Sequence, residues 1–135
     1  MVDGKETLPL AQADTYVAAV AMDKDGKAVG VVIDTAQVKI KFDAKGVVTN
    51  REDELKTKQE LKEAYNMKSA SGISKEWFEQ ANALAKWMVG KTADQISKLA
   101  VDEKGYPTDK DVVASVTVNV TEYLAVVAEA FTVAK

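Results

Sequence analysis

A chain of 135 residues with 47% hydrophobic and 29% charged side chains is long enough for one core and too apolar for a disordered segment. It contains no histidine and no cysteine, which excludes imidazole bases, thiol nucleophiles, disulfides and zinc sites of the usual kind. Its 18 basic and 21 acidic residues give a net charge of −3 with lysines dispersed among acids, so nucleic acid is not an expected partner, and no apolar run approaches the ~20 residues that cross a bilayer.

Residues 1–12, with Gly4 and Pro9 and no periodicity, read as a flexible lead-in to a single domain over 13–135. Residues 1–6 have no apolar signal core, and a cysteine-free chain suits a cytosolic protein and an exported bacterial one equally. Residues 13–22 predict a strand with apolar residues on both sides, as in a strand covered on both faces. Asp23-Lys24-Asp25-Gly26-Lys27 is a turn, and residues 28–33 return as its hairpin partner. Val38, Ile40 and Phe42 alternate with Lys39 and Lys41, which predicts a further strand with one wet face. Asp43-Ala44-Lys45-Gly46 turns back into Val47–Thr49, so the first half reads as an antiparallel meander of about four strands.

The second half changes period. Thr57 with Glu60 forms a capping-box pattern for a short helix, and residues 65–72 read as a polar loop. Ser74 is the expected N-cap of the clearest helix, whose stripe comprises Trp77, Phe78, Ala81, Leu84, Ala85 and Met88, with Gly90 placed to end it. Thr92 and Gln95 make a second capping box, residues 102–110 a loop, and Val116, Val118 and Val120 a strand. Thr121 or Asn119 caps a last helix facing inward through Tyr123, Leu124, Val127, Ala128 and Phe131. Strands first and helices after them argue for an α+β fold, an antiparallel meander packed against C-terminal helices.

Few residues invite chemistry. Asp23, Asp25 and Gly26 open like a calcium loop, but no bidentate acid follows at the right spacing, so the turn reading stands. The acids at 52–54, and at Asp109 and Asp111, read as solvated faces and helix N-termini rather than as a carboxylate pair for hydrolysis. Trp77, Phe78 and Trp87 offer an aromatic platform or, more simply, core. The 65–72 loop has backbone N–H groups that can hold an anion, or is a plain connector. Ser115 and Thr117 have no partner base in the sequence pattern, which argues against a serine hydrolase.

The order of a meander, a loop, a long helix, a capped short helix and an Asp-started segment before the last helix resembles the FMN-binding domain of bacterial electron-transfer subunits and surface lipoproteins. Asp23–Lys27, residues 32–37, Tyr65-Asn66-Met67-Lys68 and residues 72–77 resemble more closely an uncharacterised group of repeated domains in lipoproteins of gut Firmicutes. The resemblance covers residues 13 to the end. It implies a cell-surface, extracytoplasmic setting in a Gram-positive bacterium, with a small ligand or other domains of the same surface protein as partners.

The wider family carries FMN on the last residue of a pattern: Asp, two free positions, Ser or Thr, Gly, Ala, then Ser or Thr. Asp111 and Thr117 match its first and last positions, while Ala114, Ser115 and Val116 depart from the three between. The expectation is therefore a non-catalytic binding or spacer module without a cofactor of its own. Its alternative is an electron-transfer domain with FMN on Thr117, for which Thr117, Asp111 and Ser115 are the cofactor-site residues.

Overall fold

A computed structural model describes residues 6–134; the first five residues of the lead-in lie outside the described range. Two long strands, β1 (Leu10–Met22) and β2 (Ala28–Lys41), pair antiparallel from Leu10 opposite Lys41 to Met22 opposite Ala28, with an irregularity between Ala21 and Met22. Helices follow: α1 (Lys58–Leu61), a 3₁₀ turn (Lys62–Tyr65), α2 (Trp77–Met88), α3 (Ala93–Ser97), α4 (Lys110–Val113) and α5 (Thr121–Val133). The sheet lies on the helices, with α2 against β2 and α5 against β1. This is the expected α+β arrangement, with a two-stranded hairpin in place of the four-stranded meander.

The meander is shortened for identifiable reasons. The second strand was expected to span residues 28–33, yet Asp34 and Thr35 continue in the ladder, opposite Val17 and Tyr16. Their polar groups have tertiary partners: the Asp34 carboxylate accepts from the Gln59 N–H at 3.1 Å, and the buried Thr35 hydroxyl shares a 2.8 Å hydrogen bond with the Tyr123 phenol. Past Lys41 the expected fourth strand is reduced to a bridge between Phe42 and Val48, with bonds from the Thr49 N–H to the Lys41 carbonyl and from the Asp43 N–H to the Val47 carbonyl. At the other end, β1 takes in residues 10–12, which were expected in the lead-in.

The hairpin is covered on one face only. Tyr16, Ala18, Val20, Met22 and Val31 pack against the core, while Val17, Val29 and Val32 on the other side are 49%, 57% and 61% exposed. The apolar pattern on both sides of β1 therefore marks a face that no described element covers.

The core beneath the sheet comprises Ile33, Trp77, Leu84, Met88, Ile96, Val120, Val127 and their neighbours, all excluded from water. The α2 stripe is as expected, except that Phe78 is half-buried and Gln80 is fully buried among the apolar residues. Ser74 does not cap α2. It sits at φ 53°, and Glu76 takes the cap position instead, its N–H donating to the Glu79 carboxylate at 2.8 Å.

Both predicted capping boxes form, at Thr57–Glu60 and Thr92–Gln95. One local device recurs three times. Asp23, Asp43 and Asp102 each accept two backbone N–H groups, two and four residues ahead, through one carboxylate oxygen. Each turn closes on a glycine with φ between 75° and 82°, a conformation that costs L-residues a Cβ clash. The Asp23–Gly26 carboxylate is thus engaged in a turn, as the simpler reading of that stretch expected.

Candidate functional site

Residues 116–120 do not alternate in burial: Val116 and Val120 are buried, Thr117 and Val118 half-buried and Asn119 exposed. They form no strand, because no neighbouring strand presents a ladder to them. Long-range bonds take the ladder's place. The Gln80 side-chain carbonyl accepts from the Thr117 N–H at 2.8 Å and from the Thr117 hydroxyl at 3.2 Å. Its amide nitrogen donates to the Ser71 hydroxyl at 3.0 Å and the Lys75 carbonyl at 3.3 Å. The Val120 N–H donates to the Gly105 carbonyl, and the Asn119 side chain accepts from the Thr121 N–H at the start of α5. A buried amide is worth its desolvation only when both ends are satisfied, and Gln80 meets that condition by tying two loops together.

The three residues expected to form a cofactor site are distributed unevenly. Thr117 borders a shallow cleft with Met67, Ser71 and Tyr106. Ser115 lies just before it, and its hydroxyl faces the Lys75 ammonium at 3.5 Å. Asp111 is exposed on α4, and its N–H is held by Asp109, which caps that helix at 2.8 Å. Ser115 stands where the flavinylation pattern has glycine, yet it is not among the residues of positive φ, so the bend that glycine supplies is absent. The Thr117 hydroxyl is bound to Gln80, and no glycine stands before it in this segment.

The Lys75–Ser115 contact is one that sequence spacing did not reveal. Its 3.5 Å separation exceeds the ~2.6–3.2 Å reach of a working nucleophile–base pair. Among the described residues no further hydrogen bond holds the Lys75 ammonium, so the contact lacks the third member that such pairs use.

The 65–72 loop does present backbone N–H groups, but to an internal anion. The buried Glu76 carboxylate accepts from the Met67 N–H at 2.9 Å and the Lys68 N–H at 3.1 Å. This occupies two of the loop donors that were candidates for a phosphate. The acids at 52–54 are exposed, and among the described residues no three acidic side chains form a group able to hold a metal.

A second cleft lies beside the Thr117 segment and shares Met67, Val118 and Asn119 with it. It has a volume of about 500 Å3 and is walled by Tyr16, Tyr65, Trp77 and Tyr123, with Lys58 and Glu122 at the sides. The rings form a connected cluster. Tyr16 meets Tyr123 edge-on with centroids 5.3 Å apart, and Trp77 tilts against Tyr123 at 5.8 Å. The Lys58 ammonium lies 4.8 Å from the Tyr65 centroid and 5.3 Å from that of Trp77. Each wall has its own support. The Thr57 capping box sets α1 and hence Lys58, the hydrogen bond to Thr35 sets Tyr123, and α2 presents Trp77 in its first turn.

Burial pushes the Tyr123 phenol above its ordinary value of 10.0, against the lowering effect of the hydrogen bond to Thr35. Tyr16 is also raised, by burial and then by the nearby Asp14 and Glu122 charges. Both phenols therefore stay neutral donors across the physiological range. Sequence reasoning had offered Trp77 as part of an aromatic platform and Tyr65 and Met67 only as part of the 65–72 loop; Phe78 and Trp87, the expected companions of Trp77, are not in the cleft. Trp87 is half-buried under the Lys91 ammonium, 4.4 Å from its ring. Among the described residues no helix is long and apolar enough to cross a membrane. Compared with known proteins, the chain matches no family model, no curated protein and no solved structure.

Proposed function

We propose that this chain is a non-catalytic, extracytoplasmic binding module of a bacterial surface protein, related to FMN-binding domains, and that it takes a small ring-bearing ligand in the aromatic cleft. The observation that carries this reading is the convergence of Tyr16, Tyr65, Trp77 and Tyr123 with the Lys58 ammonium around about 500 Å3. That volume lies within the ~300–1,000 Å3 usual for small-molecule sites, which combine apolar walls with a few polar groups. Aromatic walls favour a flat or sugar ring, and Lys58 adds attraction for an anionic substituent. Asn119 and Thr121 at the rim add neutral hydrogen-bonding groups.

The reading as a carrier with FMN esterified to Thr117 competes with it. The bonds from Thr117 to Gln80 favour the non-covalent module, because esterification would remove the hydroxyl donor and push the phosphate against a buried amide. Titration with FMN, riboflavin and a hexose, followed by tryptophan fluorescence, tests the module. At least one probe gives a saturable change that Tyr65→Ala abolishes and, for FMN, that Lys58→Ala weakens by about tenfold. No saturable change with any of the three overturns it. Intact mass after co-expression with a flavin transferase decides the alternative: an increase of one FMN establishes it, and an unmodified mass dismisses it.

A further inference from the structure

The open end of the hairpin borders a groove of a different character from the aromatic cleft. Beyond β2 the chain turns through the Phe42–Val48 bridge and comes back beside the strand. It is held there by the Asn50 side chain, which donates to the Lys39 carbonyl at 2.8 Å and accepts from the Lys41 N–H at 2.9 Å. The end of β2, residues 50–56 and Leu61 of α1 enclose about 760 Å3, within the ~300–1,000 Å3 usual for small-molecule sites. None of the lining residues belongs to the aromatic cleft.

The lining combines two chemistries. Its apolar part is wholly aliphatic: Val38, Val48 and Leu61 are half-buried, while Ile40 and Leu55 are 40% and 58% exposed. Its charged part is basic in excess, with Lys39, Lys41, Arg51 and Lys56 against Asp53 and Glu54, in a chain whose net charge is −3. Arg51 is the one arginine in the sequence. Glu54 is taken by Lys56 at 3.1 Å, whereas among the described residues no ion pair engages Lys39, Lys41 or Arg51.

We propose that this groove binds a single-chain anionic amphiphile, an alkyl carboxylate whose tail lies against the aliphatic residues and whose head group meets Arg51 and the neighbouring lysines. Charge selects the head group. Three cations without an ion pair face a single acid, Asp53, so an anion is favoured over a cation of the same shape. A guanidinium also matches a carboxylate with two parallel hydrogen bonds. The aliphatic lining selects the tail, because it offers no ring for a flat ligand to stack on. Concavity selects a single molecule, since adsorption to a bilayer needs an apolar face that projects outward.

Amide NMR of the isotope-labelled protein, titrated with decanoate below its micelle concentration, tests this. Saturable shifts are expected among residues 37–56, with the amides of Trp77 and Tyr123 unmoved. Decylammonium should bind at least about tenfold more weakly. Arg51→Gln and Leu55→Ala, both at exposed positions where substitution leaves the fold intact, should weaken decanoate by about tenfold and about fivefold. Absence of saturable shifts overturns the proposal, as does equal affinity for decanoate and decylammonium, or an Arg51→Gln variant that binds as tightly as the parent. Binding to phosphatidylglycerol vesicles without binding to monomeric decanoate also overturns it, because the groove would then belong to a membrane-facing surface.

Discussion

The two ends of the β1–β2 hairpin are made of the same strands and stand in opposite surroundings. At the turn end, Ala28 and Ile33 are buried over α2 and the core. At the open end, residues 10–15 of β1 and 39–41 of β2 are exposed, and Asn50 holds the end through its bonds to Lys39 and Lys41. Stability is thus concentrated at one end, since burial of apolar surface is its main source. The aromatic cleft lies where the two regimes meet: Tyr16 and Thr35 face each other at mid-strand, with Tyr123 beneath them. A site at such a boundary has one rigid wall, built on α2 and α5, and one wall on a less supported strand.

Three measurements sharpen or break this division. The largest expected effect comes from cavities. Leu84→Ala in the buried stripe of α2 should cost about 3–4 kcal/mol, against less than about 1 kcal/mol for the exposed Ile40→Ala at the open end. Equal costs in denaturant unfolding would refute the idea that the open end contributes little.

Next come the repeated turns, which isolate position from local chemistry. Gly46 at the open end and Gly105 under α5 both have positive φ, 79° and 82°. A Cβ at Gly46 meets nothing, whereas one at Gly105 would overlap the Thr121 hydroxyl and the Asn119 carboxamide. Gly46→Ala should therefore cost about 1 kcal/mol through backbone strain alone, and Gly105→Ala about 2–3 kcal/mol through strain plus overlap. Thermal unfolding of the pair would show whether identical turns differ only through their neighbours.

The smallest effect is on pH dependence. The folded state holds the Tyr123 and Tyr16 phenol protons more tightly than the unfolded chain, whose phenols titrate near 10.0. Their contribution is full below that pH and is lost as pH rises through the raised folded values. Unfolding midpoints should therefore fall above pH ~10 in step with tyrosinate absorbance, and replacing Tyr123 with Phe should flatten that fall. A midpoint independent of pH in this window would place the phenols in water rather than in the packed half.

Local chemistry was legible in the sequence wherever a few adjacent residues suffice. The boxes at Thr57–Glu60 and Thr92–Gln95, the Asp-to-Gly turns and the stripe from Trp77 to Met88 all follow from short-range geometry. The cap of α2 was misplaced from Glu76 to Ser74, because the 65–72 loop rewards a carboxylate at Glu76 with two distant N–H groups. The cleft was hidden for a similar reason. Tyr16, Lys58, Tyr65, Trp77 and Tyr123 come from separate stretches, and the sequence offered Trp77 and Tyr123 as parts of helical stripes and Tyr65 as part of a loop, with nothing to bring them together.

Composition and period were enough to establish an α+β chain whose helices follow its strands, with neither thiol nor imidazole chemistry available. Only the folded chain decided which polar residues stay inside. Asp34 and Thr35 remain in a strand because Gln59 and Tyr123 reach them, and residues 116–120 become a loop because Gln80 stands where a neighbouring strand would have been needed. The physical reason is common to both cases. A buried polar group must find a partner, and whether one is present depends on contacts between residues far apart in the chain, which no local pattern encodes.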